Sequence, residues 1–468
     1  MPRLTHDRTT WLAYAQLGLW GFFLYGFGPV VPLLRDEQST SAAVAGLHST
    51  AIAVGALLGG AIFAPLARRI GRAAAIWSGL AGVAVGVSAF GTLRPLPATL
   101  AAVAVIATAG MMVISGVAVV LTARHGPAAP AALTEANAAC AGMGILAPLV
   151  IGASVDAGFG WRPVMAVQVG LIAALALIAR LSRVRPPHGD SAAAAPAGPV
   201  VVTAPVAADP GPSSAVRLPA EPAGTGQLTS QVAAAVPAER AQVAPPVGAN
   251  PGSPSRLPAE PAGTGKVGAG RLPRAYWIAW VLMSVTGSIE VCLSLWTADV
   301  LRTHAGMSAG GASAAVAAIV CGMFLGRLGG GRIALRWPPA TLLLGALTVS
   351  FVGFAIFWLA PVGWLAVTGL VVLGLGNALH YPLAISIALA VAGPAADKAA
   401  GWASYSMGVG FGIAPVALGA VADGVGPHLA FLLLPGFIAA ALMLTVRLSR
   451  ALRIAAAVAG DDPVPARV

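Results

Sequence analysis

The stretch Trp337–Ala396 reads WPPATLLLGALTVSFVGFAIFWLAPVGWLAVTGLVVLGLGNALHYPLAISIALAVAGPAA and has no Asp, Glu, Lys or Arg in 60 positions. One turn, Pro361-Val362-Gly363-Trp364, divides it into two apolar runs. A helix needs about 20 apolar residues to cross the hydrocarbon core of a bilayer, at a rise of about 1.5 Å per residue. The stretch therefore predicts two consecutive membrane-spanning helices.

The rest of the chain has the same character. Of 468 residues, 57% are hydrophobic and 9% are charged, whereas soluble domains average about 25% charged residues. Backbone groups in lipid must bond within their own segment, and long Leu/Ala/Val/Gly runs satisfy them as helices rather than as barrel strands. We predict an all-α integral membrane fold with twelve transmembrane helices. The predicted spans are 11–34, 42–67, 73–93, 97–123, 131–156, 163–182, 275–301, 308–331, 338–360, 363–391, 399–423 and 427–448.

The twelve spans fall into two groups of six around one polar loop. The predicted units are an N-terminal six-helix bundle (1–185), a Pro/Ala-rich cytoplasmic linker (186–273), a C-terminal six-helix bundle (274–450) and a cytoplasmic tail (451–468). The linker cannot bury enough apolar surface to offset its ordering entropy, so we predict that it is disordered. It contains the decamer RLPAEPAGTG twice, at Arg217–Gly226 and Arg256–Gly265. The decamer is either part of an unconstrained tether or a docking motif.

The two groups of six also repeat in sequence. Span 5 contains Ala147-Pro148, Gly152-Ala153 and Asp156, and span 11 contains the same residues 267 positions later. Five identities in register, including a Pro and an Asp, predict two pseudo-symmetric bundles related by a parallel repeat.

The charge distribution predicts the orientation. With both termini in the cytoplasm, 23 of the 27 Lys and Arg residues lie on the cytoplasmic side. The positive-inside rule favours this arrangement and predicts a bacterial cytoplasmic membrane protein, so the net charge of +11 indicates topology and not nucleic-acid binding. The three cysteines all lie in predicted spans, without the spacing of a disulfide framework or a metal site. We expect no cofactor and no metal.

Two loop motifs carry a resemblance to a known family. Leu66-Ala67-Arg68-Arg69-Ile70-Gly71-Arg72 and Gly160-Trp161-Arg162 resemble the loop motif and the Gly-Trp-Arg turn of the major facilitator superfamily. In the loop motif, Arg68 occupies the position of the family's Asp, which helps to lock one conformation by charge pairing. The resemblance implies a transporter that works by alternating access. Glu290 with Trp296, Gly326-Arg327, and Tyr381-Pro382 after Gly374 and Gly376 resemble its fucose-permease-like, proton-coupled sugar branch.

Glu290 is the strongest candidate for proton coupling because it lies near the middle of span 7. A charged carboxylate there is costly, and a dry environment favours its protonated form. The alternative is a permanently neutral structural hydrogen bond. In the superfamily, spans 1, 4, 7 and 10 line the central cavity, which implies that His380 in span 10 faces Glu290. His380 is the second candidate for proton coupling, and simple packing is its alternative.

The candidate substrate residues lie on the same spans. Gln16 and Trp20 are four apart on span 1, hence on one face, with Tyr25 further along. Asn377 could bond substrate or a neighbouring helix. The resemblance to the sugar branch implies that Trp296 and Tyr381 also belong to the substrate site.

The candidate gating residues are charged and lie near the cytoplasmic ends of spans. Glu135 could pair with Arg124 or Arg69, or remain a solvated acid at a helix start. Arg327 is the deepest cation and could reach Glu290 or the substrate. The full set of predicted gating residues is Arg68, Arg69, Arg72, Arg327, Arg332 and Glu135.

These features predict a monomeric, proton-coupled secondary transporter of a small solute, such as a sugar or similar polar metabolite, working in the lipid bilayer. No phosphate-binding loop or catalytic set is present in the sequence, so we do not expect an enzyme. Two alternatives remain: a drug or metabolite efflux carrier of the same fold, and a membrane scaffold or receptor that binds partners through the linker.

Overall fold

The computed structural model describes residues 6–182, 272–334 and 336–460. The repeated decamers and nearly all of the predicted linker lie outside these residues. The described residues form fourteen α-helices: α1 Arg8–Gln38, α2 Ala42–Ile70, α3 Arg72–Thr92, α4 Leu96–His125, α5 Ala129–Asp156, α6 Arg162–Leu181, α7 Arg274–Thr303, α8 Ala309–Ala315, α9 Ala317–Ala334, α10 Pro339–Leu359, α11 Gly363–Ala392, α12 Ala396–Val425, α13 Pro427–Ala430 and α14 Leu433–Gly460.

The predicted all-α fold with twelve transmembrane helices is confirmed. The described residues contain 12 helical segments that are long and apolar enough to cross a membrane. The eighth consists of α8 and α9, which are separated at Val316, and the twelfth begins with the short helix α13. The large apolar side chains on the outside, such as Val85 (68% exposed) and Leu181 (72% exposed), suit a surface that faces lipid.

Several helices are longer than their predicted spans. In α1, the Asp7 side chain accepts a hydrogen bond from the Thr10 backbone N–H, and Ser39 ends the helix in the left-handed conformation. These caps satisfy the terminal backbone groups, so the helix continues for a polar turn beyond the apolar run. Apolarity alone therefore predicted the membrane-embedded part of α1 and not its ends.

The two bundles have the same architecture, and their helix bounds repeat at the offset found in the sequence. At 267 residues, α3 pairs with α10, α4 with α11, and the 3-10 turn Gly126–Ala128 with Gly393–Ala395. The close approaches repeat too. A side chain at Gly55 or Gly59 would collide with the α4 backbone, and one at Gly322 or Gly326 with the α11 backbone. The glycines allow these helix pairs to pack at short distance.

The halves meet mainly where α1 packs on α7, where α2 packs on α12, and where α5 packs on α8 and α9. We call the end where α1 and α7 begin, and where α6 and α14 end, the terminus side, and the opposite end the far side.

Candidate functional site

Ion pairs between α1 and α7 hold the halves together on the far side. Asp299, whose side chain is 1% exposed, accepts hydrogen bonds from both terminal nitrogens of Arg35 at 2.5 and 3.0 Å. Asp36 lies beside this pair and bonds to Arg302 at 2.9 Å. We call Arg35, Asp36, Asp299 and Arg302 the far-side latch. It joins two helices of opposite halves at one level of the molecule.

Two further carboxylates bridge the halves at symmetric places. Asp423 at the end of α12 accepts from the backbone N–H groups of Ala42 (2.6 Å) and Ala43 (3.0 Å) at the start of α2. Asp156 at the end of α5 accepts from the Gly310 N–H at the start of α8 (3.1 Å) and from the Ser308 hydroxyl (3.2 Å). Each carboxylate caps a helix N-terminus of the other half, where free donors and the positive helix end favour an anion.

The contact between α2 and α12 continues from the far side to the middle of the molecule. Ser49 and Thr50 donate their hydroxyl protons to the carbonyls of Phe411 and Gly412, each at 2.6 Å. A side chain at Gly46 would meet the Pro415 backbone at about 3 Å. The helices are thus in tight backbone contact over this half of their length.

The halves separate beyond the middle. A side chain at Gly408 would lie 3.4 Å from Leu57, whereas one at Gly401, closer to the terminus side, would meet nothing within 4 Å. The level of Leu57 is about 22 Å along α2 from Ala42. Closer to the terminus side, Ile62 of α2 is 43% exposed, and Trp402 and Tyr405 of α12 are 43% and 52% exposed. The cleft between the halves is therefore closed on the far side and open on the terminus side.

A group of ionisable side chains lies where the halves meet at mid-depth. Glu290 is about 24 Å along α7 from Arg274, and Tyr25 is about 26 Å along α1 from Arg8. Arg327 of α9 interacts electrostatically with both side chains. We call Tyr25, Glu290 and Arg327 the central cluster. It joins the N-terminal half to the C-terminal half.

The central cluster is deep in the molecule and still reachable from the cleft. Glu290, Tyr25 and Arg327 are each partly exposed, although the residues on either side of Glu290 along α7, Ile289 and Val291, are buried. The Tyr25 ring lies against Gly144 of α5, where a side chain would collide with it. Packing thus fixes the phenol ring while leaving part of the cluster open to the cleft.

Two buried residues border the central cluster. Cys140 of α5 interacts with Tyr25 and Arg327. Tyr381 of α11 interacts with Glu290, and its hydroxyl has no hydrogen-bond partner among the described residues. A buried hydroxyl without a partner is costly, and here it is a free donor close to the carboxylate.

The other predicted binding residues pack between helices. His380 is 1% exposed, and its Nε2 lies 3.1 Å from the Ser350 hydroxyl of α10. Asn377 approaches the Met323 sulfur of α9 at 3.7 Å, and Trp296 donates its indole N–H to the Pro415 carbonyl at 3.2 Å. His380 is thus at the α10–α11 interface rather than beside Glu290. Its role in proton coupling stays a prediction, as do the roles of Asn377 and Trp296.

The two residues predicted to form one patch on α1 are both buried. Gln16 is 4% exposed and Trp20 is 5% exposed. The Trp20 ring fills the space above Gly110 of α4, where any side chain would collide with it, and lies 6.0 Å from the Phe23 ring. Trp20 therefore packs inside the N-terminal bundle, and the substrate role of both residues stays a prediction.

Most of the predicted gating residues lie at the terminus side, where the halves are apart, whereas Arg327 belongs to the central cluster at mid-depth. Arg68, Arg69 and Arg72 are exposed and take part in none of the ion pairs found among the described residues. The side chain of Arg332 is outside the described part of the chain. Among the side chains that the structure describes, no ion pair joins the two halves on this side, and the gating roles of these residues stay predictions.

Glu135 has partners other than those predicted. It bonds to His6 at 2.6 Å and to the Tyr14 hydroxyl at 3.0 Å, whereas Arg124 pairs with Asp7. The prediction of Arg124 or Arg69 as its partner is wrong because α1 starts beside α5 and brings His6 and Tyr14 closer. These contacts join helices within the N-terminal half.

The far-side latch and Cys140 were missed by sequence reasoning. Asp299 did give a signal, because it is an acid within the last turns of an apolar span. Its partner Arg35 is 264 residues away, and only the packing of α1 on α7 brings the two together.

The architecture and the matched sequence establish the family. Residues 16–396 match the Major Facilitator Superfamily, so the chain belongs to that superfamily and the predicted membership is confirmed. It is a secondary transporter and not an enzyme. No curated protein sequence matches the chain.

Solved transporter structures share the fold. A mutant of the nucleoside transporter NupG is 12% identical, with a TM-score of 0.65 over 94% of this chain and 98% of that one. A bacterial homologue of the human lysosomal transporter Spinster is 15% identical, with a TM-score of 0.60 over 95% of each chain. The E. coli fucose:proton symporter FucP is 16% identical, with a TM-score of 0.51 over 94% of this chain and 98% of that one. At these identities the similarity concerns the fold.

Proposed function

We propose that the chain is a proton-coupled secondary active transporter that moves a small polar solute across the bacterial cytoplasmic membrane by alternating access. The observation that carries the proposal is the central cluster, in which Glu290 lies at mid-depth between the two halves and interacts with Arg327 and Tyr25. Similar folds belong to a nucleoside transporter and a fucose:proton symporter, which support a polar solute and proton coupling.

Both termini are placed in the cytoplasm under this proposal, because 22 of the 27 Lys and Arg residues then lie on that side, with Arg327 at mid-depth and four on the far side. The terminus side is accordingly the cytoplasmic side, and the open cleft faces inward. Both halves of the central site come from one chain, which supports action as a monomer.

Glu290 is suited to carry the proton because its hydration changes as the cleft moves. A charged carboxylate at the centre of a bilayer costs about 3 kcal/mol or more, so closure of the cleft on both sides favours the neutral form. Opening on either side admits water and allows the proton to leave. The cycle therefore moves one proton with each reorientation of the loaded carrier.

The fold itself does not need a carboxylate at this position. The residue equivalent to Glu290 in the N-terminal half, 267 positions earlier, is Phe23, which is 2% exposed in an apolar core. An apolar residue therefore fills the symmetric site, which favours a functional over a structural role for Glu290.

The experiment compares the wild type with Glu290→Gln in proteoliposomes. A thermal-shift screen of the purified protein against sugars, polyols, nucleosides, carboxylates, amino acids and cationic dyes first selects a ligand, because binding raises the melting temperature by mass action. We expect a pH gradient to drive accumulation of that ligand by the wild type. The Gln variant should exchange internal for external ligand without accumulating it.

Glu37→Gln is the matched control, since Glu37 pairs with Arg162 inside the N-terminal half, away from the central cluster. This variant should accumulate the ligand as the wild type does. Accumulation by Glu290→Gln against a gradient would refute proton coupling at this residue.

Efflux by the same mechanism is the second candidate. The helices α2 and α12, which border the cleft, expose large apolar and aromatic side chains such as those of Leu57, Trp402 and Tyr405, which favours an apolar solute. The direction of ligand flux under an imposed pH gradient distinguishes the two candidates.

A further inference from the structure

A groove opens between α1 and α6 at the terminus side of the N-terminal half. Nearer the far side the two helices are joined, because the Gln168 side-chain amide of α6 donates to the Leu19 carbonyl of α1 at 3.2 Å. Towards the terminus side a groove of about 680 Å³ separates residues 8–15 of α1 from residues 175–182. It therefore extends over about 10 Å of each helix. We call it the α1–α6 groove.

The α1–α6 groove lies on the lipid-facing side of the bundle. The helix α6 packs on α1, α3 and α5, which all belong to its own half. The groove is lined by apolar side chains such as those of Leu12, Leu175 and Ile178, and Ile178 is 58% exposed. Ala15 and Ala179 also line it, and their short side chains leave space between the helices. An apolar channel at this place suits an acyl chain, which packs by dispersion contacts.

A cation lies at the mouth of the groove. Arg8 begins α1, and its Nη1 donates to the Ser182 carbonyl at the end of α6 at 3.3 Å. The last carbonyls of a helix have no partner within the helix, so this bond holds the Arg8 side chain between the two helix ends. A guanidinium has five N–H groups, and most of those of Arg8 remain available to a ligand.

The positive charge of Arg8 is not compensated by a carboxylate. None of the ion pairs found in the described parts of the chain includes Arg8. The neighbouring acid, Asp7, pairs with Arg124 instead. Two more cations, Arg180 and Arg183, flank Ser182 in the sequence. The mouth of the groove is therefore complementary to an anion.

Trp11 indicates the depth of the groove in the membrane. It lines the groove one turn after Arg8 and is 60% exposed. Indole rings favour the boundary between headgroups and acyl chains. Arg8 is then at the level of the headgroups, and the apolar part of the groove is at the level of the acyl chains. A ligand that fits both parts has an anionic head and an apolar tail.

We propose that the α1–α6 groove binds one anionic phospholipid of the cytoplasmic leaflet, with its phosphate on Arg8 and one acyl chain between the helices. Basic pockets between transmembrane helices on the cytoplasmic side are typical sites for such headgroups. A guanidinium can donate two parallel hydrogen bonds to a phosphate. The inference uses the orientation of the proposed function and does not depend on the solute or on proton coupling.

The test compares lipids that share their acyl chains. The purified full-length protein in dodecyl maltoside is titrated with dioleoylphosphatidylglycerol, dioleoylphosphatidylcholine or inorganic phosphate, and its melting temperature is recorded. Binding to the folded protein raises that temperature. We expect half of the maximal rise at a phosphatidylglycerol concentration about fivefold lower than for phosphatidylcholine, and no rise with phosphate. Equal effects of the two lipids, or a full effect of phosphate alone, overturn the inference.

Two variants separate the charge from the groove. Arg8→Gln should remove most of the preference for phosphatidylglycerol over phosphatidylcholine. Ala179→Trp keeps Arg8 and fills the groove, so it should weaken the binding of both lipids. Unchanged lipid binding in either variant contradicts the inference, because the site needs both the cation and the space for the chain.

Arg274→Gln is the matched control. Arg274 begins α7 and is followed three residues later by the exposed Trp277, as Arg8 is by Trp11. The Trp277 ring packs against Trp402, with 5.8 Å between ring centroids. This variant removes the same charge on the same side of the membrane and should keep the lipid preference. An equal loss of preference in Arg274→Gln and Arg8→Gln would assign the effect to general surface charge and overturn the site.

Fluorescence quenching tests the position of the lipid. Phosphatidylglycerol with brominated acyl chains should quench Trp11, so Trp11→Phe should lose part of the quenching seen in the wild type. Quenching that is unaffected by Trp11→Phe would place the lipid elsewhere and refute the groove. Disulfide-linked dimers of Ile178→Cys, formed in phosphatidylglycerol vesicles after replacement of the native cysteines, would assign the groove to a second copy of the chain and refute it too. None of these readouts involves transport, so failure of the lipid site is distinguishable from failure of the proposed function.

Discussion

Replacing Asp299 by Asn should shift the transporter away from the conformation described here. The Asp299 side chain is 1% exposed and accepts hydrogen bonds from both terminal nitrogens of Arg35. Breaking a fully buried ion pair by removing one partner costs about 3–5 kcal/mol. Arg35 is 19% exposed, keeps Asp36 at 2.9 Å and can still donate one bond to an amide oxygen. We therefore expect a cost of about 2 kcal/mol, half of the buried value.

A change of about 2 kcal/mol alters the ratio of two conformations about 30-fold. A population that is nearly all closed on the far side would then become a mixture of the two conformations. Double electron–electron resonance can measure this shift with spin labels at Phe159→Cys and Leu429→Cys, after the three native cysteines have been replaced. Both positions are exposed, at 74% and 52%, and lie at the far side on opposite halves.

The variant should show a longer second distance between the labels that is minor or missing in the parent. Asp36→Asn is the matched control, because Asp36 belongs to the same latch but is 43% exposed. An exposed ion pair contributes about 0–1 kcal/mol, so this change should have a small effect. Identical distance distributions for the parent and Asp299→Asn would refute the reasoning that the latch holds the far side closed.

Two more results are expected. Asp156→Ala and Asp423→Ala should each destabilise the closed far side by a similar amount, about 0.5–2 kcal/mol for the loss of a helix cap, because the two carboxylates occupy symmetric places. A large effect of one and none of the other in the same spin-label experiment would contradict the symmetry. Deleting both decamers, Arg217–Gly226 and Arg256–Gly265, should leave transport of the selected ligand unchanged, whereas loss of a cellular phenotype with transport intact would favour the scaffold alternative.

The architecture could be predicted because bilayer thickness and backbone bonding leave few solutions. In a bilayer, apolar runs such as Trp337–Ala396 can only form helices. The number and spacing of these runs predicted twelve membrane-spanning helices in two bundles. The repeat at 267 residues was visible in five identities, and the structure extends it to helix bounds and to glycine contacts such as those of Gly55 and Gly322.

The central cluster could be predicted in part. An acid in the middle of a span is costly enough to identify Glu290 from sequence alone, and Arg327 followed as the deepest cation. His380 could not be placed, because a polar residue on a cavity-lining helix can also face a neighbouring helix. Its bond to Ser350 depends on the rotation of α11, which apolar periodicity does not fix when all faces of a helix are apolar.

Contacts between the halves could not be predicted. Arg35 pairs with Asp299 and Asp423 caps α2 across more than 260 residues of chain, and neither contact has a local sequence pattern. Glu135 illustrates the same limit at shorter range, since span position suggested Arg124 or Arg69 as its partner and packing selected His6 and Tyr14.

Solute-dependent proton flux tests the central claim most directly. Proteoliposomes that contain a trapped pH-sensitive dye receive the selected ligand outside, without an imposed gradient, and the internal pH is recorded. The account predicts acidification of the lumen with about one proton per molecule of ligand in the wild type, and ligand exchange without acidification in Glu290→Gln. Entry of the ligand without protons in the wild type, or undiminished acidification in the variant, would contradict it.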